Sequence, residues 1–133
     1  MLTNITTQIP FPVVLGRTIA ALRRVRGHTQ RDFAKAMGTA QGTIAWIESG
    51  RTAASAMQLW RIEQELIAAG VLVESGAIFA VASQVERELR RRGVEVVYIR
   101  HESPGDRAEL ERLDGVVEGV LKEWSLGKAT AGP

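Results

Sequence analysis

T-Q-R-D-F-A-K-A-M-G-T-A-Q-G-T-I-A-W-I-E-S-G-R, residues 29–51, is the stretch that decides the fold of this chain. It reads as two short helices joined by a tight turn. Thr29 is a good N-cap, and Asp32 three residues on can return a bond to the Thr29 backbone N–H, an aspartate form of the capping box. Phe33, Ala34 and Met37 share one stripe, and Gly38 is the residue type that ends a helix at positive φ. Thr39 is placed to cap a second helix with apolar positions at Ile44 and Ile47, closed by Ser49 and Gly50. Small residues at Ala34 and Gly38 let the two helices cross closely.

Working outward, Val13 to Arg26 keeps a helical stripe of Leu15, Ile19 and Leu22 that Gly27 terminates. Ser55 and Gln58 form a second capping box, and Leu59, Ile62 and Leu66 with Met57 and Trp60 predict the buried stripe of a fourth helix. Upstream, residues 1–12 carry no Lys or Arg. Ile9-Pro10-Phe11-Pro12 predicts an extended arm, since each proline disfavours helix before it.

Taken together, L-G-x-x-I-x-x-L-R from Leu15, T-Q at Thr29-Gln30, F-A-x-x-M-G from Phe33 and Q-x-x-I-x-x-I-E-x-G-R from Gln41 resemble the lambda-repressor/Cro (XRE-type) family of helix-turn-helix domains. The S-x-x-Q-L-x-x-I run after Ser55 extends the match, which covers roughly half the chain. The order and spacing carry the resemblance more than any single motif does.

The resemblance implies a DNA-binding surface at Thr29, Gln30, Gln41, Gly42, Thr43, Trp46, Arg51 and Thr52. It implies that Gln30 donates to a phosphate and braces Gln41, which reads a base edge. A glutamine amide can accept from adenine N6 and donate to N7 in the major groove, so the residue type suits the task. Arg23 and Glu48 are implied to form an ion pair tying the first helix to the end of the third.

Two positions depart from the family's pattern. Gly42 brings no side chain, and Trp46 offers an apolar face that suits either thymine methyls or a protein partner. Ala54 stands where relatives usually have proline, and Ala53, Ala54 and Ala56 leave the following loop without the basic residues some relatives carry there.

Downstream, Val71 to Glu74 and Ala77 to Val81 around Ser75-Gly76 predict a hairpin. Gln84 to Arg92 predicts a helix, and Val94 to Arg100, apolar on both faces, a covered strand. Two strands make a poor sheet in water, so pairing across a dimer is the expected completion. After a break at Ser103-Pro104-Gly105, a helix from about Asp106 to Trp124 carries a seam of Leu110, Leu113, Val117, Val120 (or Leu121) and Trp124. Gly115 and Gly119 allow close helix approach or are weak spots. The expected plan is an arm (1–12), a helix-turn-helix domain (13–68), an α+β oligomerisation region (69–125) and a tail (126–133), in a mainly α fold.

Charge is uneven along the chain. Residues 1–52 hold seven Arg or Lys against two acidic side chains, a net of +5, while the remainder holds ten against thirteen, a net of −3. A basic front half that coincides with the motif suits nucleic acid, and an acidic back half suits a protein contact. The absence of cysteine excludes disulfides, thiol catalysis and cysteine-rich zinc sites. His28 and His101 stand in no triad or metal spacing, and Arg90-Arg91-Arg92 reads as a solvated helix end. No enzyme activity, metal or cofactor is expected. With no signal peptide and no span-length apolar run, the expected address is cytoplasmic and away from membranes.

The leading expectation is a dimeric, sequence-specific transcriptional regulator, a repressor, on an inverted-repeat site in double-stranded DNA. The alternative is a protein-binding module on the same fold, such as an antitoxin or antiactivator.

Overall fold

The structure is a computed structural model that describes residues 8–98 and 107–131, with the backbone alone from 125 onward. Among these residues the order is β1 (Gln8–Pro10), α1 (Phe11–Arg26), α2 (Gln30–Met37), α3 (Gln41–Glu48), α4 (Ala56–Ala68), α5 (Ala77–Arg91), β2 (Glu95–Val97) and α6 (Arg107–Ala131). The fold is mainly α, with the helix-turn-helix elements towards the N-terminus.

α1 is the axis of the molecule, and it is apolar on two sides. Leu15, Ile19 and Leu22 enter a cluster with Phe33, Met37, Ile44, Ile47, Ile62 and Leu66 from α2, α3 and α4. Val13, Val14 and Ala21 enter a second cluster with Val81, Val85 and Leu89 of α5 and Leu113, Val117 and Val120 of α6. A helix buried on two sides loses the single-stripe signature, and near-continuous apolar residues replace it. α1 also starts earlier than its stripe predicts. Phe11 is already helical, because Pro12 falls in the first turn, where a missing N–H costs nothing.

The expected hairpin at residues 71–81 is instead the entry to α5. Gly76 adopts φ 88° as its N-cap, and Glu63 from α4 accepts the N–H of Gly76 at 3.0 Å and that of Ile78 at 3.2 Å. A short apolar run around Ile78 fits either period. The buried set Ala77, Ile78, Val81, Ala82, Val85 and Leu89 continues it at helical spacing.

β2 finds its partner inside the chain rather than across a dimer. It pairs in parallel with β1, Ile9 opposite Val96, so the expected arm is a strand with Ile9 buried. Pro10 has no N–H for a further strand, and Arg90 donates to the Val96 carbonyl at 3.2 Å, so the edges on both sides are blunted. Beside this sheet Tyr98 donates to the Glu86 carboxylate and its ring lies 5.4 Å from that of Phe11. Burial pushes the Glu86 carboxyl up, but the hydrogen bonds from Tyr98 and Arg90 outweigh it and hold the group below its usual range.

α6 lays its predicted seam on α1 and α5, with Val116 joining it. Gly115 and Gly119 face open space, so neither serves a close helix approach among the described residues. The helix continues to Ala131, past the start of the expected tail at Leu126, through residues of good helix propensity such as Leu126, Lys128 and Ala129. The arm before Gln8, Ile99, Arg100, His101 and the break at Ser103-Pro104-Gly105 lie outside the described residues.

Candidate nucleic-acid interface

The surface is built by α2, its turn and α3. The Thr29–Asp32 capping box closes in both directions, with the Asp32 N–H donating to Thr29 Oγ1 at 3.1 Å and the Thr29 N–H to Asp32 Oδ2 at 3.5 Å. Gly38 ends α2 at φ 68°. The cap of α3 differs from expectation. Ala40, one residue after Thr39, is its N-cap, and no side chain caps the helix. Its first N–H groups are therefore left for solvent or an incoming anion.

α3 turns Ile44, Ile47 and Glu48 inward. Gln41 and Gly42 are exposed, Thr43 is half-buried at the flank, and Trp46 is 54% exposed one turn after Gly42. Thr29, Arg51 and Thr52 are exposed around this face, and Gln30 is half-buried behind it. The Arg51 guanidinium lies 5.8 Å from the Trp46 ring centroid, a cation–π stack that occupies part of the indole face. The Thr52 N–H donates to the Trp46 carbonyl at 3.3 Å, folding the loop back onto α3.

Behind the face sits a charged lock. Arg23 Nε donates to Glu48 Oε2 at 2.7 Å and its Nη2 to Oε1 at 3.0 Å, while Nη1 donates to the His28 carbonyl at 2.8 Å. One guanidinium thus holds the end of α1, the α1–α2 corner and the end of α3. The expected ion pair is present.

Gln30 also joins the lock. Its Nε2 donates to Glu48 Oε1 at 3.0 Å, so the amide braces the ion pair. A buried carboxylate has acceptor sites to fill, and Gln30 at the start of α2 fills one that Arg23 leaves. His28 packs edge-on to Phe33, with ring centroids 6.2 Å apart, as a packing residue.

The cationic supply is smaller than sequence counting gives. Arg23 is spent on Glu48, and Arg17 forms a two-pronged pair with Asp114 of α6, both bonds 2.7 Å. That hydrogen-bonded carboxylate raises the Arg17 guanidinium further above its ordinary value. Arg24, Arg31, Lys35 and Arg51 remain exposed. α4 adds Arg61, whose guanidinium stands 3.7 Å from the point a Cβ on Gly38 would occupy. It shares a cleft with Thr39, Thr43 and Gln58. Sequence reasoning missed Arg61. The available signal was its place one turn after Met57 and Gln58, on the same side of α4.

Residues 14–64, covering α1 to most of α4, match a family described as a helix-turn-helix domain. No curated protein and no solved structure matches the chain.

Proposed function

Because residues 14–64 match a helix-turn-helix domain family, we propose that this protein is a sequence-specific transcriptional regulator that binds double-stranded DNA with α3 in the major groove. It acts as a homodimer on an inverted-repeat site, two α3 helices entering successive grooves about 34 Å apart. Repression is the mode we assign, because occupying a promoter blocks it with no part beyond the binding surface. The activity is binding, and no catalytic step or cofactor is assigned.

One observation carries this reading. The outward residues of α3, Gln41 and Gly42 above all, are exposed on a helix whose opposite side is locked by Arg23 and Glu48. A helix that is to read bases needs free side chains on a rigid mount. Gln41 supplies base-edge hydrogen bonding, while Arg51, Thr52 and the uncapped start of α3 supply phosphate contacts.

The test is a titration of the full chain on duplexes enriched from a random pool, at several salt concentrations. The expected result is a clear preference over unselected duplex, with log K falling linearly in log salt. No preference at low salt would overturn the reading. The exposed Trp46–Arg51 stack favours a second reading, a protein-binding module such as an antitoxin or antiactivator. In that case the same titration shows no salt-dependent binding of DNA.

A further inference from the structure

Arg61 on α4 has a cationic partner's chemistry and no partner. Glu65 stands four positions further along the helix, yet among the described residues Arg61 makes no ion pair and no hydrogen bond. An arginine ahead of its glutamate is the weaker order for such a pair. The guanidinium goes elsewhere, and its Nη2 comes to 3.7 Å from the point a Cβ on Gly38 would occupy. It therefore overhangs the turn between α2 and α3. The register of α4 puts it there. Ile62, Glu63 and Leu66 are buried, while Met57 and Trp60 are 68% and 58% exposed where periodicity predicts burial. Gln58 and Arg61 fall between these two faces on the helical wheel.

The overhang closes one side of a cleft of about 170 Å³ between α4 and the start of α3. Ile44 and Ile62, both buried, form part of its wall. Its polar groups come from Thr39, Thr43, Gln58 and Arg61, and they share one character. Gln58 Oε1 is occupied by the Ser55 N–H at 2.8 Å, so the amide has only its NH2 to offer. The Thr39 and Thr43 hydroxyls have no partner among the described residues and are free to donate. No carboxylate lines the cleft. Donors gathered around one uncompensated cation suit an oxyanion.

We infer that this cleft holds one phosphodiester of the bound duplex, with Arg61 as the positioning residue and α4 as a third DNA-contacting element beside α2 and α3. The inference rests on the DNA-binding reading and deepens it. The place of the cleft selects DNA over a free phosphorylated ligand. Thr39 and Thr43 lie two residues to either side of Gln41, and successive Cα atoms are about 3.8 Å apart. The cleft thus begins within about 8 Å of the residue assigned to read a base. The phosphate it grips is a neighbour of that base, and gripping it fixes the register of α3 in the groove. A guanidinium does this with two parallel bonds to phosphate oxygens, a geometry that an ammonium lacks.

Phosphate-ethylation interference on a selected duplex tests this, read for the full chain and for Arg61→Ala. The wild type is expected to lose binding when one phosphate beside the base read by Gln41 is ethylated, that base being the one whose preference Gln41→Ala relaxes. Arg61→Ala is expected to become indifferent to ethylation there, to bind about tenfold more weakly on every duplex, and to lower the slope of log K against log salt by about 1. Arg61 is exposed, so the variant keeps the wild-type melting temperature. Arg61→Lys is expected to restore the slope but not the full affinity. Arg87→Ala, an exposed cation on α5 outside the cleft, is expected to leave the interference pattern as it is. An unchanged pattern in Arg61→Ala, or the same loss from Arg87→Ala, overturns the proposal. So does millimolar inorganic phosphate binding that Arg61→Ala abolishes while duplex affinity stays the same, which gives the cleft to a free phosphorylated ligand. A wild-type chain that prefers no duplex fails the functional reading and this one with it. A chain that prefers its duplex equally with alanine at position 61 fails this one alone.

Discussion

Gly16 on α1 stands directly against the carbonyl of Ile47 on α3. A Cβ at Gly16 would fall 2.3 Å from that oxygen and 2.8 Å from the carbonyl oxygen of Glu48. Both obstacles are backbone, so neither can swing aside. Contact at this range is what brings the end of α3 within reach of Arg23. Gly16→Ala is expected to destabilise the protein by about 3 kcal/mol, the upper range for overpacking a core. The same change at Gly42 has the opposite sign. Nothing lies within 4 Å of a Cβ there and no positive φ is required, so Gly42→Ala is expected to stabilise α3 by about 1 kcal/mol. Urea unfolding of the two variants checks both signs.

The Arg23–Glu48 pair is sheltered, with side-chain exposures of 10% and 2%. Removing the carboxylate strands a guanidinium that also serves the His28 carbonyl, and takes away the acceptor for Gln30. Glu48→Ala is therefore expected to cost about 3–5 kcal/mol. Gln30→Ala removes one hydrogen bond and is expected to cost about 1–2 kcal/mol. A double-mutant cycle over Glu48 and Gln30 measures their coupling, and additive losses would show that Gln30 does not brace the lock.

Glu63 is the buried acid that periodicity hid. It occupies a core position on α4, yet its carboxylate serves the first turn of α5, where negative charge also meets the positive end of the helix dipole. Glu63→Ala is expected to cost about 2 kcal/mol, at the high end for a lost cap. Hydrogen exchange at the Gly76 and Ile78 amides is expected to accelerate more than exchange in α2 or α3. Uniform acceleration would mean that the residue supports the whole core rather than the start of α5.

What was legible in the sequence was whatever local chemistry decides. Two capping boxes, the turn at Gly38 and the inward positions of α2 and α3 follow from a few neighbouring residues, and the structure has them. Long-range partners were not legible. Nothing near Gln8 says that it will lie beside Glu95, and nothing near Glu63 announces a helix that begins thirteen residues later at Gly76. Met57 and Trp60 misled for a related reason. The apolar stripe on α4 predicts one inward face, whereas part of it faces out. At the site, the lock was legible from the resemblance, but the bond from Gln30 to Glu48 depends on how the folded corner brings α2 against the end of α3.

Gln41 and Arg51 are both exposed on the α3 side of the molecule, yet they are expected to fail differently when removed. Gln41→Ala deletes a group able to make two bonds to one base, worth about 1–3 kcal/mol of discrimination. Its affinity for a selected duplex should fall by about tenfold or more, while its affinity for unselected duplex barely changes. Arg51→Ala deletes a charge without base-edge geometry. Affinity should fall evenly on all duplexes, and the slope of log K against log salt should shrink by about 1. Trp46 adds a third arm, because its ring holds the Arg51 guanidinium at 5.8 Å. If the indole positions that charge, Trp46→Ala lowers affinity evenly and adds nothing further in the Arg51→Ala background. Were the indole itself to read thymine methyls, the losses would instead add and depend on sequence, which would move Trp46 from a positioning role to a reading one.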